Sequence, residues 1–200
     1  MAARDGEVVF ETERLRARLP GQRDVGPVLA YYRENLEHLR PWSPRWPPDL
    51  LTPQFWRDQV VRRQAEAAAG IAYATFLFRR EDDTHVVGNL SLTQVVRGAA
   101  DYCALGYGLA ASAQGNGYMA EAVRGAVTFA FHELGLHRVH ASYIPYNRRS
   151  AMVLRRAGFR VEGYARDYLR IDGRWQDHVM TSAISDEWDP NPTTASAGYR

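Results

Sequence analysis

The stretch "YCALGYGLAASAQGNGYMAEAVRGAV", Tyr102 to Val127, decides how this chain is read. Its first part reads as a strand. Its last part repeats apolar residues at helical spacing. Between them two glycines flank one asparagine, so Gly115 and Gly117 stand where a strand hands over to a helix. Glycine admits positive φ and lets a ligand touch the backbone. The first helical turn leaves N–H groups unpaired, and with the helix dipole they form an anion site suited to phosphate or pyrophosphate. Taken alone, these residues fit a plain tight turn equally well.

Working outward, the helix that starts near Met119 carries Ala122, Val123, Ala126, Phe129, Ala130 and Leu134 on one arc and ends at Gly135. Upstream, apolar strands at 71–78 and 86–95 are joined by the polar "RREDDTH", as an antiparallel hairpin with a longer loop. "EVVFETERLRARL" reads as one strand through Leu19. Asp24 can cap a helix over 25–39, with Leu29, Tyr32 and Leu36 on its stripe. Five prolines and two tryptophans between Arg40 and Pro53 exclude a regular element there. Thr52 before Pro53 caps the next helix, which runs to about Gly70. Downstream come the strand "RVHASYI", a short helix in "NRRSAMVLRRAGF" closed by Gly158, and two strands near 159–171 and 175–184 turned at "DGR". The tail after Asp186 is rich in Pro, Asn, Thr, Ser and Gly. The order predicts a mixed α/β (α+β) fold: one domain over 1–188 and a flexible tail over 189–200.

A chain of 200 residues with 46% hydrophobic content can bury a core without staples. The 25 basic and 23 acidic residues nearly balance at +2, which gives no support for direct nucleic-acid binding. All the basic residues are Arg, read as compositional bias of the genome. A lone Cys103 excludes an internal disulfide and fits a reducing compartment. The N-terminus has no apolar signal region, and no run approaches the ~18 apolar residues of a membrane span, so a cytoplasmic location is expected.

Three phosphate-binding readings compete for the glycine turn. A nucleotide-triphosphate loop needs Gly-Lys-Ser/Thr, and the chain has no lysine. "GYGLAA", 106–111, fits a dinucleotide fingerprint, but lies inside the strand and lacks the acidic residue about twenty positions on. The third reading is an acyl-coenzyme A site. "GYGLAASAQGNGYMAEAV" followed by "HRVHASYIPYNRRSAMVLRRAGFRVEGYARDYLRIDGRWQDHVMTSAI" resembles the GNAT superfamily of acetyl-CoA-dependent N-acyltransferases. More narrowly it resembles the ribosomal-protein N-terminal-alanine acetyltransferases, the RimJ/RimL type, as do "ETERLRAR" and "ENLEHLRPWSP". The likeness spans Glu11 to about Trp188.

That resemblance implies a three-layer fold: a mostly antiparallel sheet, splayed between its fourth and fifth strands and flanked by helices. The pantetheine arm of acetyl-CoA enters the splay. The implied cofactor contacts are Gly108, Leu109 and Ala110 on the strand, Gln114, Gly115, Asn116, Gly117, Tyr118 and Met119 around the turn, and Asn147 and Ser150 beyond. The wider superfamily has Gln or Arg three residues before the first glycine; here that position is Ser112, and Gln114 abuts Gly115 as in the RimJ/RimL branch. Asn147 can meet the pantetheine or fix its loop, and Ser150 can cap the helix or reach the sulfur leaving group.

The implied reaction moves acetyl from a thioester directly to a protein N-terminal α-amine, with the N-terminal alanine of a ribosomal protein as the expected acceptor. An α-amine has a pKa of about 7.7–8.0, against about 10.4 for lysine, so only a modest base is needed. Backbone N–H groups near Gly108 and Leu109 are the expected oxyanion donors. Asp167 is the leading base or amine anchor, Glu162 the second, and Tyr168 a proton donor. Asp172 reads as a turn former, and Asp177 with His178 as a satisfied structural pair. Trp42, Arg45 and Trp46 are the expected substrate wall, with a loop tucked over the core by Trp42 as the plainer reading. His132, His137 and His140 do not share a face, so no metal is expected. Other acceptors (polyamine, antibiotic, amino acid) and a non-catalytic acyl-CoA-binding regulator stay open, as do monomer and homodimer.

Overall fold

A computed structural model of the protein describes residues 6–186. The expected tail at 189–200, and the end of the domain expected at 188, lie outside the described residues. Eight strands form one sheet in the order β1-β2-β3-β4-β5-β6-β8-β7. They are β1 Val8–Glu11, β2 Leu15–Arg18, β3 Tyr73–Arg79, β4 Asp82–Val96, β5 Tyr102–Leu109, β6 Arg138–Tyr143, β7 Arg160–Ile171 and β8 Arg174–Ile184. Four helices cover them: α1 Val25–Leu39, α2 Pro53–Ala68, α3 Tyr118–Thr128 and α4 Arg148–Arg156. Every strand pair is antiparallel except β5–β6, where α3 returns the chain in the same direction to a neighbouring strand; α4 makes the same kind of crossover from β6 to β7, but β8 lies between them.

Side chains alternate across the sheet and so divide the core in two. Leu77, Leu90, Leu92, Cys103, Leu105, Val139 and Ala141 face α3 and α4, where Val123, Ala126 and Leu154 meet them. Phe76, Phe78 and Val86 face α1 and α2, where Val28, Tyr32, Trp56 and Val60 meet them. Each buried Leu, Val or Phe among them stabilises by roughly 1.5–3 kcal/mol. The small residues of α3 and of the turn after it let the helix lie close to the sheet: Ala122, Val123, Ala126 and Ala130 have no exposed surface.

The feature that positions the site is the β5–β6 pair. Its rungs run only from Tyr102↔Arg138 to Leu105↔Ala141, whereas β5 stays paired with β4 up to Gly88↔Leu109. Residues 106–109 therefore leave β6 while keeping β4, and a gap opens at the end of the sheet. Half of their N–H and C=O groups face that gap. The hairpin of β7 and β8 turns at Asp172 and Gly173, both at positive φ, as "DGR" predicted.

Several expected boundaries moved. The single strand through Leu19 is two strands, folded back at Thr12–Arg14. The Glu121 carboxylate of α3 makes that turn by accepting from the Thr12 hydroxyl (2.6 Å) and the Arg14 N–H (2.8 Å). Strand β4 begins at Asp82, so most of "RREDDTH" is strand and the hairpin turn is short. Asp24 precedes α1 without capping it: its carboxylate accepts from Gly21 N–H (2.8 Å) and from the buried Arg18 (2.6 Å). Thr52 does cap α2, accepting from Phe55 N–H at 3.2 Å. After Thr128 the helix widens into a π turn, Phe129–Glu133, and Gly135 follows at φ 63°.

Candidate active site

The glycine turn lies at the mouth of the gap. Gly115 has φ 83° and Gly117 φ 77°, the latter being the residue before α3. Only glycine takes these angles without strain. Glu121 N–H is the first in the helix to find a partner, the Gly117 carbonyl at 3.1 Å. Among the described residues the N–H groups of Gly115, Asn116, Gly117, Tyr118 and Met119 have no protein acceptor, so a cluster of donors converges where the helix dipole is positive. The turn fits a pyrophosphate on that ground. Ala110 differs from the sequence expectation: its N–H is committed to the Val87 carbonyl and its carbonyl to Ala113 N–H, and it is buried. The Met119 side chain likewise belongs to the core.

Arg14, unnoticed in the sequence, fastens the turn. Its guanidinium donates to the Asn116 carbonyl (3.0 Å), pairs with Glu121 (2.6 Å) and lies over the Tyr118 ring. Burial pushes the Glu121 carboxyl up, but hydrogen bonds from Thr12 and Arg14 carry it below its usual value, so it stays ionised. Its negative charge in the first turn of α3 is matched by Arg14 and does not oppose an anion.

Helix α1 supports the same segment from the other side. Tyr31, Asn35 and His38 recur at helical spacing and face β5 and its loop. The Asn35 side-chain oxygen accepts from Ala111 N–H at 2.8 Å. The Gln114 amide donates to His38 Nε2 (3.0 Å) and accepts from Arg149 (2.5 Å), tying the turn to both α1 and α4. Gln114 thus braces the loop with its side chain. The Tyr31 hydroxyl lies near Gly108, buried and without a partner among the described residues.

Across the gap, Asn147 caps α4 by accepting from Ser150 N–H at 3.0 Å. The cap role offered to Ser150 belongs to Asn147, which leaves the Ser150 hydroxyl free to bond the Tyr107 hydroxyl at 2.8 Å. Tyr107 stands on the diverging part of β5, so this pair spans the splay. Burial pushes the Tyr107 hydroxyl up to about 12, and the bond to Ser150 offsets part of that. It is a neutral proton donor at any cellular pH. The strand alternation that puts Tyr107 on the same face as Cys103 and Leu105 also aims it at α4. Cys103 has no exposed surface, and burial pushes its thiol up to about 12, which removes it as a nucleophile.

The carboxylates divide. Glu162 accepts from Ser182 (2.6 Å) and Arg138 (2.5 Å), and these bonds hold it below its usual value. It sits beside the start of β6, at the end of the sheet away from the gap. Glu162 is therefore a paired surface acid and not a base. Asp167 lies in a bulge where β7 places three residues between Ala165↔His178 and Leu169↔Gln176, and β8 places one. Asp177 builds that bulge. It accepts from the Tyr164 hydroxyl (2.7 Å) and Asp167 N–H (2.9 Å), and its partner is not His178 as the sequence suggested. The bulge holds Asp167 at φ 45° with its carboxylate exposed and without a partner among the described residues. Tyr168 places its ring 5.6 Å from that of His178.

The proline-rich loop closes over the same end. Asp172 N–H donates to the Ser43 carbonyl at 2.9 Å, and the Arg45 guanidinium lies where a Cβ on Gly173 would stand. Loop and hairpin tip thus meet as an arch. Trp46, half-buried, is the residue that tucks the loop onto the core, 6.0 Å from the Tyr32 ring. Trp42 is 39% exposed and faces Tyr146 at 5.8 Å. Of the three residues expected as the wall, Trp42 remains a candidate; Trp46, not Trp42, tucks the loop, and Arg45 holds the arch.

Among the described residues no group of three metal-ligating side chains converges, and no helix is long and apolar enough to cross a membrane. Residues 14–160 match the family model described as "Acetyltransferase (GNAT) domain". The chain is 37% identical over 184 residues to the [ribosomal protein uS5]-alanine N-acetyltransferase of Escherichia coli, covering 92% of this chain and 94% of that one. The solved ribosomal-protein-S5-alanine acetyltransferase from Vibrio fischeri superposes with a TM-score of 0.85 at 33% identity, over 90% of this chain and 98% of that one. Mycobacterium smegmatis RimJ, solved with CoA-disulfide, gives 0.80 at 29%, over 86% and 83%.

Proposed function

The chain belongs to the GNAT acetyltransferase family, and from that premise we propose that it transfers acetyl from acetyl-CoA to the α-amine of a protein N-terminus, with alanine of a ribosomal protein as acceptor. The observation that carries the reading is the arch over the splayed strands. An acceptor must reach the gap beneath the loop–hairpin contact, which admits an extended chain end more readily than a folded surface. Relatives named for alanine at a ribosomal-protein N-terminus support the same choice.

In this reading the N–H groups of 115–119 hold the pyrophosphate, and the gap-facing backbone of Gly108 and Leu109 binds the thioester oxygen as it becomes an oxyanion. The amine nitrogen attacks the carbonyl carbon, the C–N bond forms, and the C–S electrons return to sulfur. Tyr107, bonded to Ser150, protonates the departing thiolate. Asp167 meets the incoming ammonium. Trp42 lines the entry.

The test is thiol release from acetyl-CoA with peptides that begin with alanine, serine or blocked alanine, and with polyamines and aminoglycosides. Release with the alanine peptide and none with its blocked form is expected. Release confined to small amines would overturn the protein-substrate claim. Tight CoA binding without release to any amine would favour the regulator.

A further inference from the structure

With Asp167 placed as the anchor of the ammonium, the proton acceptor is left unassigned, and we propose that His178 supplies it: Nε2 accepts the proton of the acceptor ammonium on the face of the gap opposite Tyr107. This rests on the acyl-transfer reading above and names a further residue for it.

The argument starts with faces. On β5, Cys103, Leu105 and Tyr107 point toward α3 and α4, so Gly106 and Gly108 open toward α1; Gly108 lies beside Tyr31 and Leu39. On β8, Thr181 and Ala183 pair with Ala141 and Val139, which face α3. Ser182, Met180 and His178 therefore share the α1 face with Gly106 and Gly108. The height agrees. The last rung across the splay aligns Leu105, Ala141 and Thr181. Gly108 and His178 each lie three residues beyond it, toward the open end. β6 and the splay lie between them, so their lateral separation exceeds two paired-strand spacings and leaves room for the acetyl group and the amine. Gly106 is exposed on this face and presents no side chain, so an amine can approach the thioester past it, whereas Gly108 is covered by Tyr31, Leu39 and Asn89.

The ring is set up to accept. Nδ1 lies 3.0 Å from the Gln176 carbonyl, an acceptor, which fixes the proton on Nδ1 and leaves the lone pair on Nε2. Tyr168 packs against the ring edge-on. The residue is only 3% exposed, and Nε2 has no partner among the described residues. A buried, oriented imidazole with one unpartnered ring nitrogen fits proton abstraction better than packing.

The protons balance. The ammonium gives one proton to His178 and becomes a nucleophile. After attack the nitrogen still carries one surplus proton. His178 passes its proton to solvent and then takes the surplus one by the same route, while the thiolate takes the proton of Tyr107, which regains one from solvent; one proton is released overall.

The experiment compares His178→Gln and His178→Ala with the unaltered protein, using acetyl-CoA and an alanine-first peptide. For both variants kcat is expected to fall roughly a hundredfold with CoA affinity unchanged. Added imidazole should restore turnover in His178→Ala, which has space for it, and not in His178→Gln. Wild-type kcat in either variant overturns the proposal, and so does a loss that imidazole fails to rescue, which marks a packing role. An unaltered protein inert toward every amine takes down the acyl-transfer reading and this proposal with it, whereas failure in the variants alone leaves that reading standing.

Discussion

Gly117 shows how one residue sets the chemistry of the turn. Its φ of 77° and its place before α3 aim five N–H groups outward. A side chain there meets two separate costs: left-handed strain of roughly 1 kcal/mol, and occupation of the anion site. Gly117→Ala should therefore weaken CoA binding several-fold, and Gly117→Glu, which adds a like charge against the pyrophosphate, by roughly a hundredfold or more. Calorimetric titration with CoA checks both. Equal affinities for the two variants would mean the pyrophosphate lies elsewhere. The same scale explains why the sequence overlooked Arg14, His38 and Tyr107. Each is common as a surface or core residue, and each matters here only through a partner more than 40 positions away in the chain.

Among the elements, α1 is held at its start by an ion pair rather than by a cap. Arg18 and Asp24 are 2.6 Å apart and both about 98% buried, and the guanidinium also lies 3.7 Å over Phe78. Removing one partner leaves the other charge buried. Asp24→Ala should cost about 3 kcal/mol, or roughly 6–12 °C in melting temperature, because the second partner of Arg18, Asp83, is half exposed at 3.3 Å. Thermal unfolding measures it. A change below 2 °C would show that Asp83 suffices. The start of α1 sets the height of Tyr31, Asn35 and His38 against β5, so this pair reaches the site through the helix. The bulge of β7 works in the same way: Asp177, an acid on β8, decides where Asp167 of β7 stands.

Over the whole molecule, the arch joins two segments that the chain separates by more than 120 residues, the proline-rich loop and the β7–β8 tip. Its two tryptophans predict opposite phenotypes. Trp46→Ala should lower stability by about 2 kcal/mol, since half its ring is core. Trp42→Ala should leave the melting temperature unchanged and raise KM for a peptide acceptor roughly tenfold, with acetyl-CoA affinity intact. Paired thermal and kinetic measurements decide, and the reverse pattern would return Trp42 to the role of anchor. The sequence by itself determined the helices and most strands, the glycine turn and the family. Those follow from periodicity, from caps such as Thr52 and from the left-handed angles that only Gly115 and Gly117 accept cheaply, all properties of neighbours in the chain. Only the tertiary structure decided that "EVVFETERLRARL" folds back on itself, that Glu162 is paired, that Asp177 shapes a bulge, and that Tyr107 and His178 stand on opposite faces of one gap. Those depend on which strand leaves its neighbour and at which rung, and no local pattern fixes a register between strands so far apart in the chain.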